Sequence, residues 1–433
     1  MKGLGIVTPA ASAMSPTGGT AFTDVSRRAS DRWPIALMLM AAGGVAGADT
    51  NNFADAVTAG EAHAALRYRF EHVDQESFTD EANASTLRLR LNYATGAWRD
   101  FKAFAEFDYV GEVLVNDFNS GAGTSPGRTR YPVVADPEGA DLNQVFVDYN
   151  GMRGWQWRLG RQRIVLDDHR FVGDVGWRQN VQTFDGMSIA VRRLPKTELF
   201  YSVVTNANRI FGDTVPGGDH SMNTHLLNAR ITVNDHLSAT PYGYYIDNDD
   251  DPAASTFTIG VRLAANYPLG QDTLNFLAEI SRQTDAANAP VDFDAGYLHL
   301  EAQWAGQGGL SLGVGIESLG GDHARAGAAF RTPLATLHAF QGWADQFTVT
   351  PNAGIDDLYG MLSRRRGPWR WQAVLHDFRA ESGPAKYGRE FDFSLGRNFG
   401  ERYALLLKSA FFDAGDGTFA DVRKYWLMFT ADY

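Results

Sequence analysis

Arginine and aspartate side chains are concentrated in one polar connection between two strand-like segments. Residues 155–160 and 186–191 alternate apolar and polar side chains, which is the pattern of a strand with one wet face. A connection this long and this polar is typical of a functional loop, because the planar guanidinium group pairs well with carboxylates. Its charged residues include Arg161, Arg163, Asp167, Asp168, His169, Arg170 and Arg178.

This polar connection could serve a metal ion or catalysis. His169 beside Asp167 and Asp168 could contribute metal ligands, but a salt-bridged loop is the commoner arrangement of such residues. The sequence contains no GxSxG, HExxH, Walker A or Rossmann motif. We therefore expect no metal site, no cofactor and no enzymatic activity.

The same alternation of apolar and polar residues recurs along most of the chain. One segment places leucines at 87, 89 and 91 against Arg88, Arg90 and Asn92. Charges at every second position of successive strands do not fit the core of a β-sandwich, but they can line a water-filled lumen. The mean hydropathy of −0.27 is compatible with this arrangement, because only every second residue of a barrel strand faces lipid.

The connections between these segments alternate strictly between short and long. Short connections such as 151–154 and 366–368 have four residues or fewer, whereas 113–140, 164–180 and 319–354 are much longer. Outer-membrane barrels have this pattern because tight turns face the periplasm and loops face outside. The sequence thus predicts an all-β, antiparallel transmembrane barrel of about 18 strands.

The two ends of the chain predict export and membrane assembly. Arginines precede an apolar run at 34–46, and an Ala-x-Ala site ends at Ala48, which is the pattern of a signal peptide. We expect residues 1–48 to be an extension with a signal peptide cleaved after Ala48, and residues 49–433 to form the barrel. The segment ending at Tyr433 places aromatic and apolar residues on one face, as in strands read by the barrel-assembly machinery of the Gram-negative outer membrane.

The polar connection also carries a family resemblance. Its sequence from Gly160 to Asp185, GRQRIVLDDHRFVGDVGWRQNVQTFD, resembles the alginate-export family of bacterial outer-membrane porins, as does TPLATLHAFQGWADQF at Thr332–Phe347. The resemblance implies a porin barrel surrounded by lipid and lipopolysaccharide. It also implies that the Thr332–Phe347 segment folds over or into the barrel mouth.

Strand parity predicts which side chains line the pore. The first and last strands give a continuous basic wall of Arg67, Arg69, Arg88, Arg90, Lys102 and Lys424. The polar connection and its flanking strands add Arg158, Arg161, Arg163, Arg170, Arg178 and Arg192, with Asp167 and Asp168 holding arginines in place. The net charge of −12 counts against nucleic acid as a partner, and much of the negative excess lies in loops such as 247–251.

These arginines and the family resemblance predict a passive channel for an anionic polysaccharide or oligouronate similar to alginate. A polyuronate could exchange carboxylate partners along several arginines, each contact being weak. A porin for small acidic or neutral solutes is the alternative. An open basic tube favours the polymer, and a lumen obstructed by the 164–180 loop favours small solutes. A barrel lipase would need Ser, His and Asn clustered at the lipid-facing rim, whereas His63, His299 and His376 are scattered, and the lumen charges count against a secreted adhesin.

Overall fold

The computed structural model describes residues 52–417 and 419–433. The predicted signal peptide and its cleavage site lie outside these residues. A short helix, α1 (Phe53–Thr58), is capped by the Asn52 side chain and precedes the first strand. The strands that follow are β1 (Glu61–Gln75), β2 (Ala82–Ala94), β3 (Phe101–Asp117), β4 (Gly139–Tyr149), β5 (Trp155–Gln162), β6 (Thr183–Val191), β7 (Thr197–Asn208), β8 (Asp219–Asn234), β9 (Leu237–Ile246), β10 (Thr256–Leu269), β11 (Asp272–Asp285), β12 (Asp294–Ala305), β13 (Leu310–Leu319), β14 (Ile355–Arg366), β15 (Trp369–Arg379), β16 (Lys386–Phe399), β17 (Tyr403–Ala414) and β18 (Val422–Asp432).

These strands form one closed antiparallel sheet. Each strand pairs with its neighbours in sequence, and β1 also pairs with β18, so that Leu66 lies opposite Ala431 and Tyr68 opposite Phe429. Closure leaves no unpaired sheet edge, which is what a sheet needs in lipid. The predicted all-β barrel of about 18 strands is confirmed. No helix among the described residues is long and apolar enough to cross a membrane.

Alternating side chains divide the barrel wall into a lipid face and a lumen face. On β2, Leu89 and Leu91 are exposed, whereas Arg88 and Arg90 are buried inside the barrel. The apolar residues can face outward because lipid replaces water there, and the charged residues can face inward because they meet polar partners. The lumen therefore holds the charged groups, as strand parity predicts.

Two long connections fold into the lumen and fill its middle. We call residues 163–182, between β5 and β6, inner loop 1, and residues 320–354, between β13 and β14, inner loop 2. Val172 of inner loop 1 and Leu334 of inner loop 2 are both fully buried and form a parallel β-bridge with each other. The Gly173 amide donates to the Leu334 carbonyl at 2.8 Å, and the Thr336 amide donates to the His169 carbonyl at 3.0 Å.

The close contact between the inner loops explains the glycine at position 173. A Cβ atom there would lie 2.3 Å from Oγ1 of Thr336 and 2.8 Å from Cβ of His169. The three-residue spacing of apolar residues in inner loop 2 likewise has a structural cause. A single 3-10 turn at Leu337–Ala339 buries Leu334, Phe340 and Trp343 together.

Candidate permeation site

Five residues of the predicted basic wall lie on strands β1, β2 and β18, which are adjacent because the barrel closes there, and the sixth, Lys102, lies on β3. Arg67 on β1 lies directly opposite Arg88 on β2, and both side chains point into the lumen. Lys424 on β18 lies further toward the long-loop side, opposite Val73. These cations meet the inner loops, so the wall serves as the docking surface of those loops.

Arg67 and Arg88 donate to backbone carbonyls of inner loop 1. Arg67 Nη1 donates to the Gly176 carbonyl at 3.0 Å, Nη2 donates to the Arg178 carbonyl, and Nε donates to Oε1 of Gln179 at 2.8 Å. Arg88 Nη1 donates to the Gln179 carbonyl at 3.2 Å. Neither guanidinium forms an ion pair with a carboxylate in the described part of the chain. Both positive charges are therefore held in the lumen without a direct counter-charge.

Arg69 and Arg90, by contrast, are paired with acids. Arg69 lies between Glu71, at 2.8 Å, and Asp136, at 3.3 Å, with its guanidinium 4.2 Å from the centre of the Trp177 ring. Arg90 Nε donates to Oδ1 of Asp108 at 2.6 Å. These buried pairs satisfy charges that would otherwise be costly to remove from water.

Arg163 and Arg178 of inner loop 1 connect this loop to the barrel wall and to inner loop 2. Arg163 pairs with Glu106 of β3 at 2.6 Å and lies 3.8 Å from Asp174 within the loop. Arg178 donates to Glu71 at 3.0 Å and to Asp345 of inner loop 2 at 3.1 Å. The loop is thereby fixed to the wall and to the second inner loop.

Asp345 is the point where inner loop 2 meets the basic wall. Its carboxylate accepts hydrogen bonds from Arg178, from Lys424 at 2.9 Å and from Nδ1 of His338 at 2.8 Å. His338 in turn stacks on Trp177, with ring centres 4.5 Å apart, and its Nε2 lies 2.7 Å from Nζ of Lys408. Burial alone would raise the pKa of Asp345, but the interactions with His338, Lys424 and Arg178 outweigh it and hold the pKa well below its usual range.

Arg170 forms the second connection between the inner loops. Its Nε donates to Glu317 of β13 at 2.8 Å, and its other nitrogens donate to Thr332 and Gln341 of inner loop 2, each at 3.3 Å. The guanidinium lies 4.7 Å from the centre of the Phe340 ring. One fully buried side chain thus joins inner loop 1, inner loop 2 and the barrel wall.

Asp167 and Asp168 both reach residues of the barrel wall, and Asp168 also accepts a hydrogen bond from the Arg170 amide at 3.3 Å. Asp167 accepts a hydrogen bond from Asn228 of β8 at 2.7 Å, and Asp168 pairs with Arg262 of β10 at 2.9 Å. Both contacts lie on the far side of inner loop 1 from the basic wall. These acids therefore anchor the tip of the loop across the lumen, a role that the sequence did not predict.

The other predicted residues lie away from the inner loops. Arg158 pairs with Asp148 at 2.7 Å near the short-turn end, where Lys102 is half-buried in the lumen, and exposed Arg192 donates to Gln156 at 3.4 Å. Arg161 does not line the lumen, contrary to the prediction. It lies on β5, two residues from exposed Leu159, so it points outward and pairs with Asp185 at 2.8 Å.

Strands β11–β16 carry a group of lumen-facing acids, the acidic wall, which no sequence motif marks. His376 of β15 lies 2.8 Å from Asp357 and 3.7 Å from Asp392, and Tyr359 donates to Glu301 at 2.6 Å. Its acids are Glu279, Glu301, Glu317, Asp357, Glu390 and Asp392. Some of them also hold inner loop 2, since the Ala344 amide donates to Glu390 at 2.7 Å.

The lumen is therefore electrically asymmetric. Around β1–β3, β17 and β18, eight cationic side chains lie among six carboxylates, and Lys102 and Asp432 add one charge of each sign toward the short-turn end. The eight cations are Arg67, Arg69, Arg88, Arg90, Arg163, Arg178, Lys408 and Lys424, and the six carboxylates are Glu71, Glu106, Asp108, Asp136, Asp174 and Asp345. No group of three or more His, Cys, Asp or Glu residues within 52–417 and 419–433 is arranged to hold a metal ion.

Asp345→Asn should loosen inner loop 2 without opening the barrel. The change leaves Lys424 and Arg178 short of a buried partner, which costs about 3 kcal/mol in comparable pairs. We expect the amides of residues 336–346 to exchange hydrogen at least about tenfold faster at pH 7, as measured by mass spectrometry. Asp377→Asn, which removes only exposed pairs with Arg379 and Arg389, is the matched control.

The pH dependence of that effect follows from the lowered pKa of Asp345. A carboxyl group whose pKa is lower in the folded than in the unfolded protein stabilises the fold at pH values above its ordinary pKa of about 4. This stabilisation is lost as the pH falls through the lower pKa of the folded protein. The wild type should therefore keep inner loop 2 protected at pH 5. Equal exchange rates in the wild type and Asp345→Asn at pH 7 would contradict the anchoring role of this residue.

A closed antiparallel barrel with an apolar outer face and a charged lumen defines a bacterial outer-membrane channel. The sequence profile described as "Alginate export" matches residues 59–315. The chain therefore belongs to the alginate-export family. No curated protein sequence matches it.

Solved structures of Occ outer-membrane porins share this fold. OccAB1 of Acinetobacter baumannii superposes with a TM-score of 0.69 at 11% identity, covering 87% of this chain and 97% of that one. OccAB2 of the same organism gives 0.69 at 12% identity, covering 88% and 99%. OccK9 (OpdG) of Pseudomonas aeruginosa gives 0.68 at 15% identity, covering 87% and 99%. At these identities the likeness concerns the fold.

Proposed function

We propose that this channel passes small acidic solutes, of the size of a single sugar acid, by passive diffusion. The observation that carries the proposal is the pair of interlocked inner loops at mid-height. An obstructed lumen favours small solutes over a polymer, because only a compact molecule can pass beside the loops. The two loops touch between Val172 and Leu334 and around Arg170. These residues are fully buried, which leaves no room between the loops.

The arginines support selection by charge rather than by stepwise binding. A polymer that exchanges partners along an arginine ladder needs accessible guanidinium groups. Here Arg69, Arg90, Arg170 and Arg178 already pair with acids, and Arg67 and Arg88 hold loop carbonyls. Their charges nevertheless act through the low-dielectric wall and raise the local concentration of small anions.

Half-exposed groups near the short-turn end complete the proposed path. Lys102 and Arg158 lie below the inner loops, and Arg158 is 21% exposed at the side chain while paired with Asp148. These groups are available to a solute that has passed the constriction. In this proposal the pore-lining set comprises Lys102 and Arg158 as accessible groups, and Arg67, Arg88 and Arg163 as fixed charges.

Passage of an anionic polysaccharide is the second candidate, because the matching family is described by alginate export. Swelling of liposomes that contain the refolded protein separates the two. We expect glucuronate to enter faster than glucose, which has nearly the same size, and an oligouronate of about six residues to cause no swelling. Entry of the oligouronate at a comparable rate would favour the polymer conduit. Equal rates for glucuronate and glucose would contradict selection by charge.

A further inference from the structure

A cluster of arginine and aromatic side chains lies on the lipid face of the barrel at the short-turn rim. The strand register places Arg366 opposite Trp369, Arg364 opposite Trp371, and Arg397 opposite Trp369. All of these residues alternate with inward ones and share the outer face with exposed Leu362 and Leu375. We call this cluster of Arg364, Arg366, Arg397, Trp369, Trp371 and Phe399 the rim patch.

The rim patch holds guanidinium groups in place while leaving hydrogen-bond donors unused. The Arg397 guanidinium lies 4.9 Å from the centre of the Trp369 ring and 4.6 Å from that of Phe399. The Nε atoms of Arg364 and Arg397 are buried, and neither has a hydrogen-bond partner within the described residues. The Arg364 and Arg397 side chains are only half-buried and Arg366 is exposed, so these guanidinium groups can meet an acceptor supplied from outside the chain.

Other arginines on the outer face differ from those of the rim patch. Toward the long-loop rim, Arg282 pairs with Asp294, Arg379 with Asp377 at 2.7 Å, and Arg423 with Asp413 at 2.6 Å. Within residues 52–417 and 419–433, Arg364, Arg366 and Arg397 form no ion pair, not even with Glu401 in the turn after β16. The rim patch therefore carries positive charge without a paired acid, unlike these arginines of the long-loop rim.

The position of the rim patch in the membrane indicates its ligand. Short turns of such barrels face the periplasm, and indole rings favour the headgroup level. Arginine on the lipid face is costly at the bilayer centre but tolerated near the interface, where it can meet phosphate. Guanidinium groups bind phosphate oxygens bidentately, with charge-assisted hydrogen bonds.

We propose that the rim patch binds the phosphate headgroup of an anionic phospholipid in the periplasmic leaflet. Arg364 and Arg397 donate to the phosphate oxygens, Arg366 adds positive charge, and Trp369, Trp371 and Phe399 contact the acyl-chain region next to the headgroup. The phosphates of lipopolysaccharide share this chemistry but belong to the opposite leaflet, at the long-loop rim. The site is independent of what passes through the lumen.

Native mass spectrometry of the detergent-solubilised barrel, titrated with phosphatidylglycerol or phosphatidylcholine, tests the proposal. The wild type should prefer phosphatidylglycerol, and Arg364→Gln combined with Arg397→Gln should lower its affinity for that lipid at least about tenfold, since two charge-assisted contacts are lost. Arg282→Gln combined with Arg379→Gln, two changes on the same outer face at the other rim, should leave the affinity unchanged. Gel mobility of the folded barrel confirms that both variants are assembled.

The proposal is overturned if the wild type binds both phospholipids equally, if the two double variants lose affinity to the same extent, or if lipopolysaccharide outcompetes phosphatidylglycerol at the rim patch. Displacement of the lipid by millimolar inorganic phosphate alone would also contradict it, because it would identify a site for free phosphate.

Discussion

Replacing residues 333–347 of inner loop 2 by a Gly-Ser segment of equal length is expected to raise single-channel conductance severalfold. The natural segment buries Leu334, Phe340 and Trp343 in the lumen. The centre of the Trp343 ring lies 3.7 Å from Nζ of Lys408. Without these side chains and the Asp345 contacts, the segment can no longer be held across the pore. The strand ladders contain none of the replaced residues, so the barrel should still assemble.

The matched control is the same replacement in a connection that stays at the rim. Residues 286–290, between β11 and β12, are mostly exposed or half-buried, and their replacement should leave conductance close to that of the wild type. Recordings in a planar bilayer distinguish the two variants. An unchanged conductance after the inner-loop replacement would mean that current passes elsewhere, and the mid-height constriction would have to be abandoned.

Removing the positive charges of Arg67 and Arg88 should abolish much of the preference of the channel for anions. A unit charge changes the free energy of an ion about 4 Å away by about 1 kcal/mol in bulk water, or roughly fivefold in local concentration, and more in a low dielectric. The wall acids remain after the change, so Arg67→Gln combined with Arg88→Gln should shift the reversal potential in a KCl gradient toward cation selectivity.

Two controls separate the charge from the contacts that these arginines make. Arg67→Lys combined with Arg88→Lys keeps both charges but not the forked hydrogen bonds to the Gly176 and Gln179 carbonyls, and it should retain anion preference. Arg161→Gln removes a charge on the outer face and should change nothing. If the lysine variant loses selectivity as fully as the glutamine variant, loop anchoring rather than charge sets selectivity.

The barrel could be predicted from sequence because its signals are local. Alternation with period two fixes which side chains share a face, and alternating connection lengths fix the two rims. Even so, Arg161 was wrongly assigned to the lumen, since the sequence gives no sign that β5 continues to Gln162. Parity along that strand then turns Arg161 outward. Strand ends are the least certain part of such predictions.

The interior could be predicted much less completely because its contacts are remote in sequence. Arg178 meets Asp345, and Arg170 meets Gln341, across more than 160 residues. One signal could have indicated Asp345 and His338: they are the only ionisable residues of the segment 332–347, and buried ionisable residues need partners. The use of arginines as loop anchors depends on the path of the loops, which no local pattern specifies.

Single-channel recording of the refolded wild-type protein in a planar bilayer under a KCl gradient tests most directly that the inner loops leave a narrow, positively biased path. Such a path predicts a small unitary conductance and a reversal potential on the anion side, with glucuronate carrying current and an oligouronate of about six residues carrying none. A large conductance without anion preference would contradict both the constriction at mid-height and the role of Arg67 and Arg88.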